Sequence, residues 1–284
     1  MHGKSSMLYL DNAATTPLLP EVRKVMINYM VDNFGNPSSI YKIGRMNKIA
    51  VEEARKSIAK TIGACPDDIF FTSGGTESDN WVLESAAESA TESDSAHIIV
   101  SAIEHPAVIN KCIQLKKRGC DVDYIKTDKN GIINTDDLIS KIRDDTKLIS
   151  VMLVNNEIGT IQPVKNVCNI AAEYAIPVHT DAVAAYGHIP VNVKELGVDY
   201  LSVSAHKIGG AKGTGFLYAK AANINPYIYG GGQEKGKRSG TENVAGIMGL
   251  AKAAEIAHEK LDSRIEEENI TKNYITNRIL REIK

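Results

Sequence analysis

Between residues 69 and 204 short apolar runs alternate with segments of helical character, and no other feature of the chain restricts its fold as much. "DDIFFTSGG", "AHIIVSAIEH", "DVDYIK", "TKLISVMLVNN", "IPVHTDAV" and "VDYLSVSA" carry β-branched and aromatic residues in runs too short for helices. Between the first five lie "TESDNWVLESAAESA", "PAVINKCIQLKKRG", "NTDDLISKIRDD" and "VKNVCNIAAEYA", each long enough for a helix. Strands joined by helical crossovers pair in parallel, and a parallel sheet needs cover on both faces. The expected class is therefore a three-layer α/β/α fold around a mostly parallel sheet. Ligands in such a sheet bind beyond the carboxyl ends of the strands.

The flanks read differently. After an arm over residues 1–18, Pro20 opens a helix in which Val22, Val25, Met26 and Tyr29 recur at helical spacing, and a second helix is expected around residues 41–62. "NVAGIMGLAKAAEIAHEKL" forms another, and residues 261–284 continue as a long, highly charged helix. The expected division is an arm at 1–18, a large domain at 19–260, and a helix at 261–284 leading to a small domain outside this sequence. A formal net charge of -2 gives no sequence-wide basis for nucleic acid as the main partner. No apolar run reaches the ~20 residues that span a bilayer, and "MHGKSSMLYL" lacks a signal-peptide pattern, so a cytoplasmic location is expected. Cys65, Cys112, Cys120 and Cys168 lie far apart with no C-x-x-C, which indicates neither a disulfide framework nor a metal site.

If the strands end as expected, Thr72, Ser73, His105, Asn155, Asn156, Asp181, His206 and Lys207 all fall just past strand ends. A lone lysine is usually a surface residue; one delivered by a strand into a glycine-rich turn, beside these groups, suggests chemistry. "TSGGTES" opens a helix whose free N–H groups can seat a phosphate, with Gly74 and Gly75 allowing close approach. Pyridoxal 5'-phosphate requires such a seat, a lysine for its Schiff base and a carboxylate at its ring nitrogen. Lys207, Asp181 and this loop meet those needs. A rival nucleotide-binding reading rests on G-x-x-x-x-G-K from Gly231 to Lys237. Arg238 stands where the Mg²⁺-binding hydroxyl belongs, and no strand precedes the segment.

"LDNAATTP", "FGNPSSIY", "FTSGGTESDN", "EHPAV", "VNNEIGTIQPV", "HTDAV", "SVSAHK", "KGTGFLY" and "YGGGQEKGKRSGTEN" follow one another in this order. In that order they resemble the cysteine desulfurases, within the class V aminotransferase-like enzymes of pyridoxal phosphate fold type I. The resemblance implies the large domain of a pyridoxal phosphate-dependent transferase, acting as a homodimer that converts L-cysteine to L-alanine and passes sulfur on as a persulfide. It implies that Lys207 carries the cofactor and later moves the substrate Cα proton, that Asp181 pairs with the ring nitrogen, and that His105 stacks on the ring. Asn156 is implied near the phenolic oxygen, Thr76, Ser204 and His206 at the phosphate, and Gly75 as its backbone access. Thr241 matches a threonine that reaches the phosphate from the partner subunit.

The sequence departs from that pattern in several places. Ala184 replaces a glutamine usually bonded to the phenolic oxygen, Tyr41 a histidine, and Gly209 and Ala211 an aromatic residue and a proline. No cysteine falls in the motif expected for the nucleophile, and the carboxylate-binding arginine belongs to the small domain. Two readings stay open: the missing parts reside in another polypeptide, a complementing C-terminal protein, or were removed, or else the chain is a cofactor-binding remnant with altered chemistry. A sulfur acceptor is a further candidate partner, and Ile275, Ile279 and Leu280 should seek a partner surface. Aminotransferase and selenocysteine lyase chemistry remain alternatives, as does a non-catalytic scaffold in a sulfur-transfer assembly, because fold and cofactor do not determine the reaction.

Overall fold

The computed structural model describes residues 8–89 and 96–283. Residues 1–7 of the expected arm, Ala90 at the end of one expected helix, and Lys284 lie outside that range. In chain order the elements are α1 (Pro20–Val31), α2 (Lys42–Thr61), β1 (Ile69–Thr72), α3 (Gly75–Glu88), β2 (His97–Ser101), α4 (Pro106–Lys117), β3 (Asp121–Ile125) and α5 (Thr135–Lys141). There follow β4 (Thr146–Ser150), α6 (Val164–Glu173), β5 (Val178–Asp181), α7 (Val193–Leu196), β6 (Tyr200–Ser204), β7 (Gly215–Ala219), α8 (Val244–Glu259) and α9 (Leu261–Glu282). Local chemistry sets several of these boundaries. Proline occupies the first helical position of α1 and α4, where its missing N–H has no partner to lose. Asn134 caps α5 by accepting from the Asp136 and Asp137 N–H groups.

The seven strands form one sheet in the order β1-β7-β6-β5-β4-β2-β3. Their side chains alternate between its faces. Ile69, Phe71, Ile99, Ile149 and Phe216 enter one core with Val22 of α1, Ile58 of α2, Val167 of α6 and Leu250 of α8. Phe70, Ile98, Val100, Leu148 and Leu217 enter the other with Trp81 of α3 and Leu115 of α4. Helices therefore cover both faces, as the alternating pattern requires. The sequence reading assigned no strand to "GFLYA", which lies as β7 antiparallel to both β1 and β6. Only residues 205–214 join β6 to β7, too short a link for a helical crossover and long enough for an antiparallel return. β1 to β6 share one direction, so their carboxyl ends emerge at one edge. The chain visits β3 on one side of β2 before β4 takes the other, which creates a switch point between β2 and β4.

The loop between β7 and α8 is tied down by a buried ion pair. Arg55 Nη1 and Nη2 donate to Glu234 Oε2 and Oε1 at 2.8 and 2.9 Å, Arg55 Nη1 also donates to Ile69 O at 2.7 Å, and the Phe71 N–H donates to Glu234 Oε2 at 2.8 Å. The loop reaches this position through left-handed backbone at Glu234 (φ 46°) and Lys235 (φ 60°), which the clamp must hold in place. Removing one partner of such a pair strands the other charge in the interior. Glu234→Ala is accordingly expected to lower the unfolding free energy by about 3–5 kcal/mol in urea. Breaking the exposed Lys56–Glu53 pair with Glu53→Ala should cost less than about 1 kcal/mol. Equal losses in the two variants would contradict the clamp.

Candidate functional site

A cavity of about 610 Å³ opens at the common carboxyl edge of the sheet. Its wall takes Ser73 from the β1–α3 turn, His105 from beyond β2, Met152 and Asn156 from beyond β4, Asp181 from the end of β5, and Ser204, His206 and Lys207 from the end of β6. Gly75 and Thr76 from the first turn of α3 complete one side. Of the strand-end and cofactor-site residues singled out from the sequence, Thr72 and Asn155 stand behind the cavity wall and Thr241 lies outside it on the exposed loop before α8; the others line it.

The α3 end of the cavity is built for close approach. Gly74 has φ 145° and ψ -174°, a conformation open essentially to glycine alone. A Cβ on Gly75 would come within 2.5 Å of Val183 Cγ2, and one on Gly215 within 2.7 Å of Gly74 Cα. The turn can therefore pack against β5 and β7 only as glycine. First-turn N–H groups have no intrahelical acceptor, and together with the helix dipole they favour an anion. Glu77 is turned away from that role: it accepts from the Ser73 N–H at 2.9 Å and from Arg238 Nε at 2.7 Å, which ties the turn to the loop before α8.

Beside the α3 turn, where a Cβ on Gly74 would stand 3.4 Å from Ser204 Oγ, the N-terminal arm closes over the turn after β6. Thr16 N–H and Oγ1 donate to His206 O at 2.9 and 2.8 Å, and the Gly209 N–H donates to Thr16 Oγ1 at 2.7 Å. Gly209, one of the departures noted above, has φ +83°, and a Cβ there would collide with Leu19; glycine lets the arm seat. Lys207 Nζ donates to Ala13 O and, at 3.1 Å, to Ala14 O. Burial holds the Lys207 amine below its ordinary pKa, with Asp181 the leading opposing influence. Burial likewise lowers His206, helped by Lys207 and Lys212. His105 caps α4 by accepting from the Ala107 N–H at 3.1 Å, so Nδ1 is the bare nitrogen and the ring is held at the wall. Asn156 donates to Glu157 Oε1 at 2.9 Å.

Around Asp181 stand two buried carboxyls that the sequence reading did not single out, Asp79 and Glu104. Asp181 accepts from the Val183 N–H at 2.8 Å; burial raises its pKa, while that N–H, His105 and Lys207 pull it down. Asp79 of α3 lines the same cavity, is almost completely buried, and is raised well above the carboxylate range by burial and by Asp181. Glu104, just before His105, accepts from Ser101 Oγ at 2.5 Å and the Met152 N–H at 2.7 Å, and burial pushes it up to about 8. Asp79 was legible in principle: Gly75, Ser78, Asp79 and Val82 share the i, i+3, i+4, i+7 face that α3 buries. No cysteine lines the cavity. Cys112 and Cys168 are buried, with thiols pushed up to about 12; burial also raises Cys120, and Cys65 is exposed.

The arrangement can seat a phosphate-like dianion at α3 and present an amine and a carboxylate to a flat group held between them. Comparisons with known proteins point the same way. The chain matches the family "Aminotransferase class-V" over residues 8–284. It is 49% identical over 278 residues to cysteine desulfurase IscS of Methanosarcina thermophila, covering 98% of this chain and 68% of that protein. It is 50% identical over 277 residues to IscS of Dictyoglomus turgidum, covering 97% and 70%. A solved NifS-like protein superposes with a TM-score of 0.94 at 40% identity, covering 96% of this chain and 76% of that one. The structure titled "SspA in complex with cysteine" superposes with 0.85 at 40% identity, covering 88% and 72%.

The raised pKa of Glu104 implies a pH dependence with a definite sign. Between the ordinary value of 4.5 and about 8, the folded protein keeps a proton that the unfolded chain has released. Stability therefore falls as pH rises through that window and levels off above it, with a slope of at most about 1.4 kcal/mol per pH unit from this group. Glu104→Gln, which keeps the shape without the charge, is expected to flatten the decline in urea-unfolding free energy between pH 5 and 8. An unchanged slope would place the proton elsewhere.

Proposed function

This chain belongs to the class-V aminotransferases, and within them to the pyridoxal phosphate-dependent cysteine desulfurases; from that premise we propose that its cavity binds pyridoxal 5'-phosphate and acts on L-cysteine. The single observation that carries the assignment is the cavity itself, whose lining combines a glycine-built helix N-terminus with an amine and a buried carboxylate. The fit is chemical: the N-terminus of α3 has N–H groups without intrahelical acceptors, the Lys207 amine is biased toward its neutral, nucleophilic form, and Asp181 offers a carboxylate oriented by a backbone N–H.

In this reading Thr76, Ser204, His206 and the Gly75 backbone hold the phosphate, Asp181 the ring nitrogen, His105 the ring face and Asn156 the phenolic oxygen, with Lys207 as the covalent anchor. Bound there, the cofactor supplies an electron sink for bond breaking at the substrate. Lys207 Nζ takes the proton from the substrate Cα, a role its lowered pKa suits near neutral pH. Ala184 lines the cavity and has no side-chain donor for the phenolic oxygen, so Asn156 carries that contact alone. Sulfur leaves for an accessible thiol from outside the cavity lining, on an acceptor or complementing partner, because the buried Cys112 and Cys168 are poor thiolates. The acceptor thiol R–SH takes the substrate sulfur as the persulfide R–S–SH, and the broken C–S bond is replaced by a C–H bond, so L-cysteine and thiol give L-alanine and persulfide.

We place the protein in the cytoplasm as a homodimer. Among the described residues no helix is long and apolar enough to cross a membrane. Ile27, Met30, Val31 and Phe34 on and just after α1, with Ile40 and Tyr41, leave a large apolar surface exposed that a second copy would cover. Thr241 belongs to that assembly, reaching the neighbour's phosphate from the exposed loop before α8.

Protein purified with pyridoxal phosphate is expected to absorb in the violet region, to change its spectrum with L-cysteine, and to form alanine when a thiol acceptor is present. Lys207→Ala should abolish both the absorbance and any borohydride-trapped adduct; persistence of both would assign the anchor to another lysine. Selenide from L-selenocysteine alone, a keto acid from an amino-acid and keto-acid pair, or bound cofactor without turnover would favour the lyase, aminotransferase and scaffold alternatives respectively.

A further inference from the structure

On the face of the sheet that α3 covers, a row of polar side chains crosses three adjacent strands beneath Asp181. Ser150 of β4 pairs with His179 of β5, and Ser202 of β6 pairs with Asp181, two residues beyond His179 and so on the same face. His179 Nδ1 lies 2.8 Å from Ser150 Oγ and its Nε2 lies 2.9 Å from Ser202 Oγ. Ser150, His179 and Ser202 are fully buried. Asp79 descends onto the row from α3, with Oδ1 3.5 Å from His179 Nε2 and without a hydrogen-bond donor.

We propose that Asp79, seated against the row Ser202–His179–Ser150, is the protonated companion of an ionised Asp181 in the same cavity, so that the single negative charge stays on Asp181. This deepens the cofactor reading above and rests on it for its purpose. Two buried carboxyls this strongly coupled do not both ionise. The groups around them decide which one does. Asp181 accepts the Val183 N–H, and His105 and Lys207 lower its pKa against burial. Burial and then Asp181 raise Asp79 against a lowering from Ser202, its Oδ1 has no donor, and the imidazole beside it has a pKa that burial drives down to about 3. The 3.5 Å contact is therefore between an acid and a neutral ring, not an ion pair. With Asp79 protonated, Ser202 Oγ can donate to His179 Nε2 and His179 Nδ1–H to Ser150 Oγ, and Asp79 Oδ1, which no donor reaches, is spared a buried negative charge.

Asp79→Asn preserves shape and neutrality and separates this role from a generally structural one. In protein without added cofactor, the infrared difference spectrum between wild type and Asp79→Asn should show the loss of one protonated-carboxyl C=O band. Asp79→Asn should bind pyridoxal phosphate within about twofold of wild type, whereas Asp79→Ala and His179→Ala should bind about tenfold more weakly, a change of about 1.4 kcal/mol. No lost band, or Asp79→Asn weakening binding as much as Asp181→Asn, would overturn the proposal. Wild-type protein that takes up no pyridoxal phosphate would instead defeat the cofactor reading, and the infrared band would still decide where the proton sits.

Discussion

Strands β1 to β6 of this sheet run in one direction, and the site follows from that constraint. In a parallel sheet each strand ends at the same edge, so polar residues that cannot remain between two apolar layers collect there. Ser73, His105, Asn156, Asp181 and Lys207 are far apart in sequence and share one cavity wall because each lies at, or a few residues beyond, the carboxyl end of a strand. β7 is the exception in direction and contributes Gly215, a surface flat enough for the α3 turn to rest on.

The same edge concentrates charge inside the protein. Asp79, Glu104 and Asp181 are all buried, and each is pushed toward its neutral form by burial. Only Asp181 has Lys207 and His105 drawing its pKa down, so the interior distinguishes three similar acids by their neighbours alone. The surrounding loops are held with comparable firmness. Glu234 is clamped by Arg55, Glu77 by Arg238, and the arm is hydrogen-bonded through Thr16 to the turn that carries Lys207. A site assembled from so many separate segments keeps its shape only if each segment is tied to the sheet or to another loop.

Much of this was legible before any coordinates. The strands carrying Asp181 and Lys207, the helix opened by Gly74 and Gly75, and the cover on both faces follow from the spacing of apolar residues and from turn chemistry. β7 escaped notice because "GFLYA" follows a glycine-rich loop and no helix separates it from β6. Asp79 was missed because a charged residue in "TESDN" resembles ordinary helix surface until the buried side of α3 is known. His179 was recognised only as part of a motif; its role came from the serines on either side, which belong to other strands.

The sequence by itself determined the class of fold, the edge at which chemistry would gather, and the residue types available there. These depend on local periodicity and on which residues tolerate particular backbone angles, and both are written along the chain. Tertiary structure decided which acids share a proton, which thiols are buried beyond use, why Gly209 is needed beneath the arm, and that Thr241 stands apart from the cavity of its own chain. Those outcomes depend on burial and on neighbours distant in sequence, which come into being only when the layers pack.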